Sequence, residues 1–441
     1  MKASQFNIFA DLDNGNRILF NSVTGAMAEL DPNSYSQVSA VLKNPLGESA
    51  ENNLALRQQL VYGGFLIEDD VHELAQQKMY YNRGRFGKDL LTLAIAPTLD
   101  CNLTCDLCYG RQHKMKMRPP VEKFLVSFLD KTIRKAEKIH VTWFGGEPLL
   151  EIDTIERIQR HLADKAAGYG IELFASTIIT NGALLDKTMA LRLNEAGVHT
   201  AQVTLNGPRE AHDKTRKLSE VNGSFDRIVF NLSQVAGILD TIVRINVAAS
   251  DVEGMNDVLD SLAQADVLGR VRLLVAPSRV KTEICADAIG RCRQSDSELK
   301  NHLNIYRNVT GRSGLKFDFP YLLAEPSCPT DSDSSFIIAP SGYIFKCWQD
   351  VSARVDQSVD SIFYRPVDEF QHRNMLQYTT LDPLESNSCK SCAILPVCAG
   401  GCAIDIREQT ESLSGKCKFF SENLQDLLEL RHLYVTRREA T

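Results

Sequence analysis

The chain has 441 residues, 44% of them apolar and 24% charged, the balance of an ordinary folded protein with room for roughly two to four domains. Its formal net charge of −7 argues against a broadly basic face and so against nucleic acid as a partner. No run approaches the roughly 18 apolar residues that a membrane span needs, and MKASQFNIFADLDNGN sets acids where a signal peptide has its apolar segment, so a cytoplasmic protein with no membrane partner is expected. Twelve cysteines in such a chain point to metal binding rather than disulfides, because cytoplasmic thiols are kept reduced.

Residues 1–85 read as a separate small domain. ASQFNIFADLDNGNRILFNSVTGAMAELD predicts two or three short strands with Asn-Gly and Thr-Gly turns. Helices are expected near Ser34 to Leu42 and near Asn52 to Tyr62, the second leading through Gly63-Gly64 into FLIEDD. Short strands with about three helices make a winged-helix-like N-terminal domain. Its ten acids against seven bases disfavour DNA. An extension that merely packs on the rest of the chain is the simpler alternative.

From 88 to 280 strands alternate with helices. Apolar runs at Leu90–Leu99, Ile139–Phe144, Leu173–Thr180, Thr200–Leu205, Ile242–Ala248 and Val271–Ala276 are separated by helical stretches such as VEKFLVSFLDKTIRKAEK and IDTIERIQRHLADKAAG. Six such units imply an α/β fold of parallel strands with right-handed crossovers, a six-stranded (β/α)6 partial TIM barrel. The first strand runs into CNLTCDLCY, Cys101 to Tyr109, so the loop sits at a strand's C-terminal end, where barrel enzymes place their chemistry. Cys101, Cys105 and Cys108 in a Cys-x3-Cys-x2-Cys spacing suit an iron–sulfur cluster, and three thiolates leave one iron of a 4Fe–4S cluster open. Part of a zinc site, or structural thiols, are the plainer readings.

Later strand ends carry short polar motifs. Gly145-Gly146-Glu147-Pro148 follows the second strand, and glycines there let backbone approach a ligand closely. The third ends in Thr180-Asn181-Gly182 and the fourth in TLNGP around Asn206, followed by His212, Asp213 and Arg216, with Asn246 on the fifth. Ordinary turn chemistry is the alternative for each. A bridging region, 281–320, holds Cys285 and Cys292 with no role pinned to either. Residues 321–441 form a cysteine-rich domain with Cys328, Gly342-x4-Cys347, Cys389-x2-Cys392-x5-Cys398-x3-Cys402 and Cys417, followed by a helix.

These motifs together resemble the radical S-adenosylmethionine (SAM) superfamily, and the late cysteines match the SPASM domain of its peptide and protein maturases. The aromatic residue that usually precedes the last cysteine of the triplet is absent, since Leu107 stands there and Tyr109 follows Cys108. The resemblance implies that Cys101, Cys105 and Cys108 hold a 4Fe–4S cluster, whose electron cleaves SAM to methionine and a 5′-deoxyadenosyl radical. It also implies that Tyr109, Gly145, Gly146, Glu147, Pro148, Thr180, Asn181, Asn206, Arg216 and Asn246 contact SAM. In the family, GGEP carbonyls and the Glu147 carboxylate meet the SAM amine. Carried over position by position, Cys389, Cys392, Cys398 and Cys417 ligate an outer auxiliary 4Fe–4S cluster and Cys328, Cys347 and Cys402 an inner one, for three clusters in all. A pair of structural zinc sites is the alternative.

The placement of the N-terminal domain resembles the recognition element that binds leader peptides of ribosomally made, post-translationally modified peptides, adding the leader as a strand to a sheet edge. The expected activity is an oxidoreductase forming a thioether, C–C or C–O crosslink in a precursor peptide, with flavodoxin or ferredoxin as external reductant. An anaerobic sulfatase maturase is the other enzyme reading, although Trp348 stands where such relatives have Asp, with Asp350 two residues on. A non-catalytic iron–sulfur redox regulator is the reading from a different class.

Overall fold

The computed structural model describes residues 1–105, 114–218, 223–247, 254–277, 304–305, 307, 316–317, 322, 328–351, 355–363, 366–401 and 415–439. Two compact units divide the chain, and neither is continuous in sequence.

One unit gathers residues 1–87, 319–333 and 377–441. Its strands are β1 (Lys2–Ala3), β2 (Asn7–Asp11), β3 (Arg17–Asn21), β4 (Met27–Leu30) and β5 (Leu66–Ile67). β2, β3 and β4 form the antiparallel meander that the Asn-Gly and Thr-Gly turns predict, and β1 pairs antiparallel with β5. The helices are α1 (Pro32–Lys43), α2 (Glu48–Glu51), α3 (Leu54–Tyr62) and α4 (Glu73–Phe86). α1 starts where the Asp31 carboxylate accepts the N–H groups of Asn33 and Ser34, with Pro32 in the first turn, satisfying donors that a helix start leaves open. Val38, Val41 and Leu60 from the helices meet Leu19, Leu30 and Leu66 from the strands in one core.

Residues 300 or more positions away in sequence complete this unit. Phe6 and Tyr81 pack with Leu384 and Leu395, and Cys389 and Cys392 lie against the same cluster. The Ser22 hydroxyl donates to the Ala393 carbonyl. The helix Gly415–Glu439 docks through Gln425 Oε1, which accepts the Asp11 N–H at 3.2 Å, and through His432 Nε2, 2.9 Å from Glu29 Oε2. The buried Tyr81 hydroxyl donates to Leu381 O at 3.2 Å, and burial pushes the phenol above its ordinary range. Leu395→Ala empties part of this small cluster and is expected to cost about 2–5 kcal/mol, read as faster hydrogen exchange of the β2 and β3 amides. Unchanged exchange there would mean that the cluster does not tie the distant segments together.

The second unit comprises residues 88–318 and 334–376. Its strands are β6 (Leu90–Thr98), β7 (Leu103–Cys105), β8 (Lys138–Gly145), β9 (Glu172–Thr180), β10 (Thr200–Asn206), β11 (Arg216–Leu218), β12 (Asp240–Val247), β13 (Arg272–Pro277), β14 (Lys316–Phe317), β15 (Ser335–Ile338), β16 (Tyr343–Phe345) and β17 (Asp360–Ser361). Helices α5 (Pro119–Thr132), α6 (Ile152–Gly168), α7 (Lys187–Glu195), α8 (Arg209–Thr215), α9 (Phe225–Val235) and α10 (Met255–Gln264) lie between them in sequence. The sheet order is β14-β13-β12-β10-β9-β8-β6-β15-β16-β17. The six strands expected from the apolar runs are its contiguous parallel centre.

The sheet is wider than those six strands. β15 adds parallel to β6, and β16 and β17 follow antiparallel. Helix burial follows helical spacing: Ile155, Ile158, Leu162 and Ala166 on α6 and Ile228, Leu232 and Val235 on α9 are buried. Two polar residues, Thr154 and Gln159, are buried with them. Gln159 Oε1 accepts from Trp143 Nε1 at 2.9 Å and from Ser176 Oγ at 3.1 Å, so the helix is keyed to β8 and β9 by hydrogen bonds as well as by shape. Among the described residues no helix is long and apolar enough to cross a membrane.

Candidate active site

The cysteine loop is closed at its base. Leu99 N donates to Met115 O at 2.7 Å and Met117 N to Pro97 O at 2.8 Å, while the Thr98 hydroxyl donates to Met115 O at 3.0 Å. Beyond that clamp Cys101 is exposed and Cys105 half-buried. β7, which ends at Cys105, pairs antiparallel with β11, setting Cys105 opposite Arg216. Cys108 and Tyr109 lie outside the described residues, as do Cys285, Cys292 and Cys402.

Gly145 and Gly146 let the end of β8 press onto the end of β6. A Cβ on Gly145 falls 2.1 Å from Thr98 O, and one on Gly146 falls 2.3 Å from Asp100 O and 2.4 Å from Leu99 O. Gly145 also has φ of +139°, which glycine alone adopts easily. The contact is bonded as well as close: Gly146 N donates to Thr98 O at 3.1 Å and Glu147 N to Asp100 O at 2.8 Å. Gly146→Ala forces these strand ends apart, at an expected cost of about 1–3 kcal/mol read in urea unfolding. Wild-type stability in that variant would remove the close approach as a requirement.

Glu147 is fully buried and turns inward. Its Oε1 accepts from Leu149 N at 3.1 Å and Thr180 Oγ1 at 2.8 Å, and its Oε2 from Asn181 N at 2.8 Å. Burial pushes the carboxyl up, while those three donors and the Arg216 charge pull it back. The side chain expected at the SAM amine therefore orients the β9 end. Pro148, also buried, opens the short turn Pro148–Glu151.

Asn181 Nδ2 donates to Asn102 Oδ1 at 2.8 Å and lies 3.7 Å from Cys101 Sγ. The fourth and fifth strand ends are joined by Asn246 Nδ2, which donates to Asn206 Oδ1 at 3.3 Å, and Arg244 Nε donates to Asn246 Oδ1 at 2.9 Å. Arg216 Nη1 donates to Thr204 O at 2.9 Å. Two residues of this end gave no signal in the sequence beyond their position: Asn102, beside Cys101, and Asn231, whose Nδ2 donates to Gly182 O at 2.9 Å and Ala183 O at 3.1 Å. An asparagine on the apolar face of α9 was the one local clue to the second.

His212 and Asp213 hold the scaffold behind these groups. Asp213 Oδ1 accepts the N–H groups of Ser224 and Phe225 at the start of α9. His212 Nδ1 accepts the Asn206 N–H at 3.1 Å, and Nε2 lies 2.9 Å from Ser224 Oγ, which itself donates to Arg216 O at 2.7 Å. With its own proton spent there, Ser224 accepts, so Nε2 carries the imidazole proton. Burial and then the Arg216 charge push His212 down to about 3 from its ordinary 6.5. As pH falls through that window the unfolded chain takes up a proton that the folded chain refuses, so stability is lost toward acid. Between pH 7 and pH 5 the wild type is expected to lose about 2 kcal/mol more than His212→Gln in urea unfolding. Parallel losses would contradict the buried neutral imidazole.

The residues present fit a thiolate-bound cluster with an amino-acid ligand. Cys101 Sγ already faces N–H groups of Leu103 and Asn181. Among the described residues Asp100 Oδ1 and Arg216 Nε are buried without hydrogen-bond partners, an acceptor and a donor suited to an ammonium and a carboxylate. Of the later cysteines, Cys328, Cys389, Cys392 and Cys398 lie in the first unit and Cys347 in the second. Cys347 is followed by Trp348, whose ring packs edge-on against Phe144 at 4.5 Å, and by Asp350, which is buried. Cys417 falls in the last helix, its side chain outside the description. Among the described residues no three His, Cys, Asp or Glu side chains converge on a metal position.

A model of the radical SAM superfamily matches residues 95–264, from within β6 to the end of α10. That stretch of the chain is thus a radical SAM domain. Over 93% of its length the whole chain is 21% identical to the radical SAM cyclopropyl synthase TigE of Paramaledivibacter caminithermalis, 92% of which is covered. Over 46% of its length it is 24% identical to a probable GTP 3′,8-cyclase of Methanocaldococcus jannaschii, of which 64% is covered. Among solved structures, anSMEcpe with bound AdoMet and the Kp18Cys peptide has a TM-score of 0.59 at 17% identity, covering 78% of this chain and 99% of that one. Streptococcus suis SuiB bound to its precursor peptide SuiA has a TM-score of 0.50 at 15% identity, covering 95% of this chain and 99% of that one. These structural likenesses are of fold.

Proposed function

We propose that this protein is a radical SAM enzyme that oxidises a ribosomally made precursor peptide, forming a thioether, C–C or C–O crosslink. The observation that carries the reading is likeness beyond the radical SAM domain itself: TigE aligns along 93% of the chain and the peptide-bound SuiB along 95%. Both matches therefore run beyond residues 95–264 into the stretches on either side, which supports reading those stretches as working parts of one enzyme. The relative named a cyclopropyl synthase favours C–C bond formation within the three bond types.

Cys101, Cys105 and Cys108 would hold a 4Fe–4S cluster, which would supply the electron for reductive cleavage of SAM. Arg216 and Asp100 offer the buried donor and acceptor for the amino-acid end of SAM, and Gly145 and Gly146 keep the second strand end close enough for backbone to reach it. Crosslinking removes two hydrogens from the peptide: one leaves on 5′-deoxyadenosine, the other as a proton while its electron is taken up elsewhere. Cys389, Cys392, Cys398 and Cys417, with Cys328, Cys347 and Cys402, are the residues to hold the auxiliary acceptors. Residues 1–85 hold the leader, keeping the reacting segment at high effective concentration, and a flavodoxin or ferredoxin supplies electrons.

Reconstituted protein is expected to bind about twelve irons per chain, at four per cluster, falling to about eight when Cys389, Cys392 and Cys398 are all changed to Ala. Given SAM, dithionite and the short peptides encoded beside its gene, it is expected to take two hydrogens from one of them, seen by mass spectrometry. Unchanged peptide masses alongside active SAM cleavage would overturn the peptide reading, and zinc in place of iron would overturn the auxiliary clusters.

A further inference from the structure

Asn181 is only 4% exposed, and its hydrogen bonds fix both its position and its orientation. Its backbone N–H donates to Glu147 Oε2 at 2.8 Å. Its Oδ1 accepts the Ala183 N–H at 2.9 Å. A backbone N–H can only donate, so the amide oxygen must face Ala183, and the NH2 is left facing Asn102 and Cys101. One of its two hydrogens reaches Asn102 Oδ1 at 2.8 Å; the other is free for Cys101 Sγ at 3.7 Å. The same sulfur accepts from Leu103 N at 3.4 Å.

We infer that Asn181 is a positioning residue that sets the reduction potential of the cluster by donating its side-chain N–H to the Cys101 sulfur. The inference rests on Cys101 being a cluster ligand. Reduction adds negative charge that is shared with the ligating sulfurs, and an N–H aimed at one of them stabilises the reduced form, so hydrogen bonds to sulfur raise the potential. A buried amide acts more strongly than an exposed one because little water screens it. Glu147 holds the Asn181 backbone in place, Ala183 prevents the amide from flipping, and Asn102 takes the other hydrogen. Asn181 thus acts on the iron site through sulfur, and the ribose and carboxylate of SAM fall to other groups.

The test is an EPR-monitored redox titration of the reconstituted full chain, following the signal that SAM alters. Asn181→Leu, similar in size but without a donor, is expected to move the midpoint to a more negative value. Asn181→Asp keeps the acceptor for Ala183 and puts an anion beside the sulfur, so it is expected to move the midpoint further the same way while preserving the fold. Asn231→Leu loosens the same turn without touching sulfur and is expected to leave the midpoint in place. Unmoved midpoints in both Asn181 variants, or an equal shift in Asn231→Leu, would overturn the proposal. A SAM-responsive signal that survives in Cys101→Ala would instead remove the ligand assignment beneath it.

Discussion

The candidate site depends on how closely the ends of β6 and β8 approach. Two residues without side chains let Gly146 and Glu147 bond to the carbonyls of Thr98 and Asp100, directly before the first cysteine. That contact determines where Glu147 enters the interior, and Glu147 in turn holds the Thr180 hydroxyl and the Asn181 amide. The first three strand ends are thereby bound into one piece, with Asn181 reaching back to Asn102 and Cys101. Replacing either glycine by any larger residue acts first on backbone, and only through backbone on the cysteine loop.

A fully buried carboxylate is costly unless its oxygens are satisfied. Glu147 meets that condition with two backbone N–H groups and one hydroxyl, and the Arg216 charge assists. The same Arg216 charge helps to keep His212 neutral, and the neutral ring can then accept from Asn206 and donate to Ser224. One guanidinium thus supports the anion it faces and suppresses a second cation beside it. The fourth strand end is held by this pair of effects, with Asn206 linked on to Asn246 in β12.

Much of this was legible in the sequence because its signals are local. Six apolar runs of strand length mark the parallel centre of the sheet, and amphipathic stretches mark α5 and α6 between them. The Cys-x3-Cys-x2-Cys stretch and GGEP announce the strand ends that build the candidate site. What sequence could not supply was partnership at long range. β15, β16 and β17 are two to four residues each, too short for periodicity to register, and β15 finds β6 more than 200 residues away in the chain. Tyr81 with Leu384 and Leu395 is a pairing of the same kind. Glu147 was recognisable as important but not as inward-facing, because a motif identifies a residue without saying which of its neighbours will claim its oxygens. Asn102 was passed over because an asparagine beside a cysteine looks like loop filler until Asn181 is seen opposite it.

The account stands or falls on whether the loop that these strand ends support cleaves SAM. The most direct measurement is anaerobic: reconstitute the full chain with iron and sulfide, reduce it, and quantify 5′-deoxyadenosine from SAM, beside a variant with Cys101, Cys105 and Cys108 all changed to Ala. Formation of 5′-deoxyadenosine by the wild type and none by the variant is the predicted result. No cleavage by iron-loaded wild type under any reductant, or equal cleavage by the variant, would contradict it.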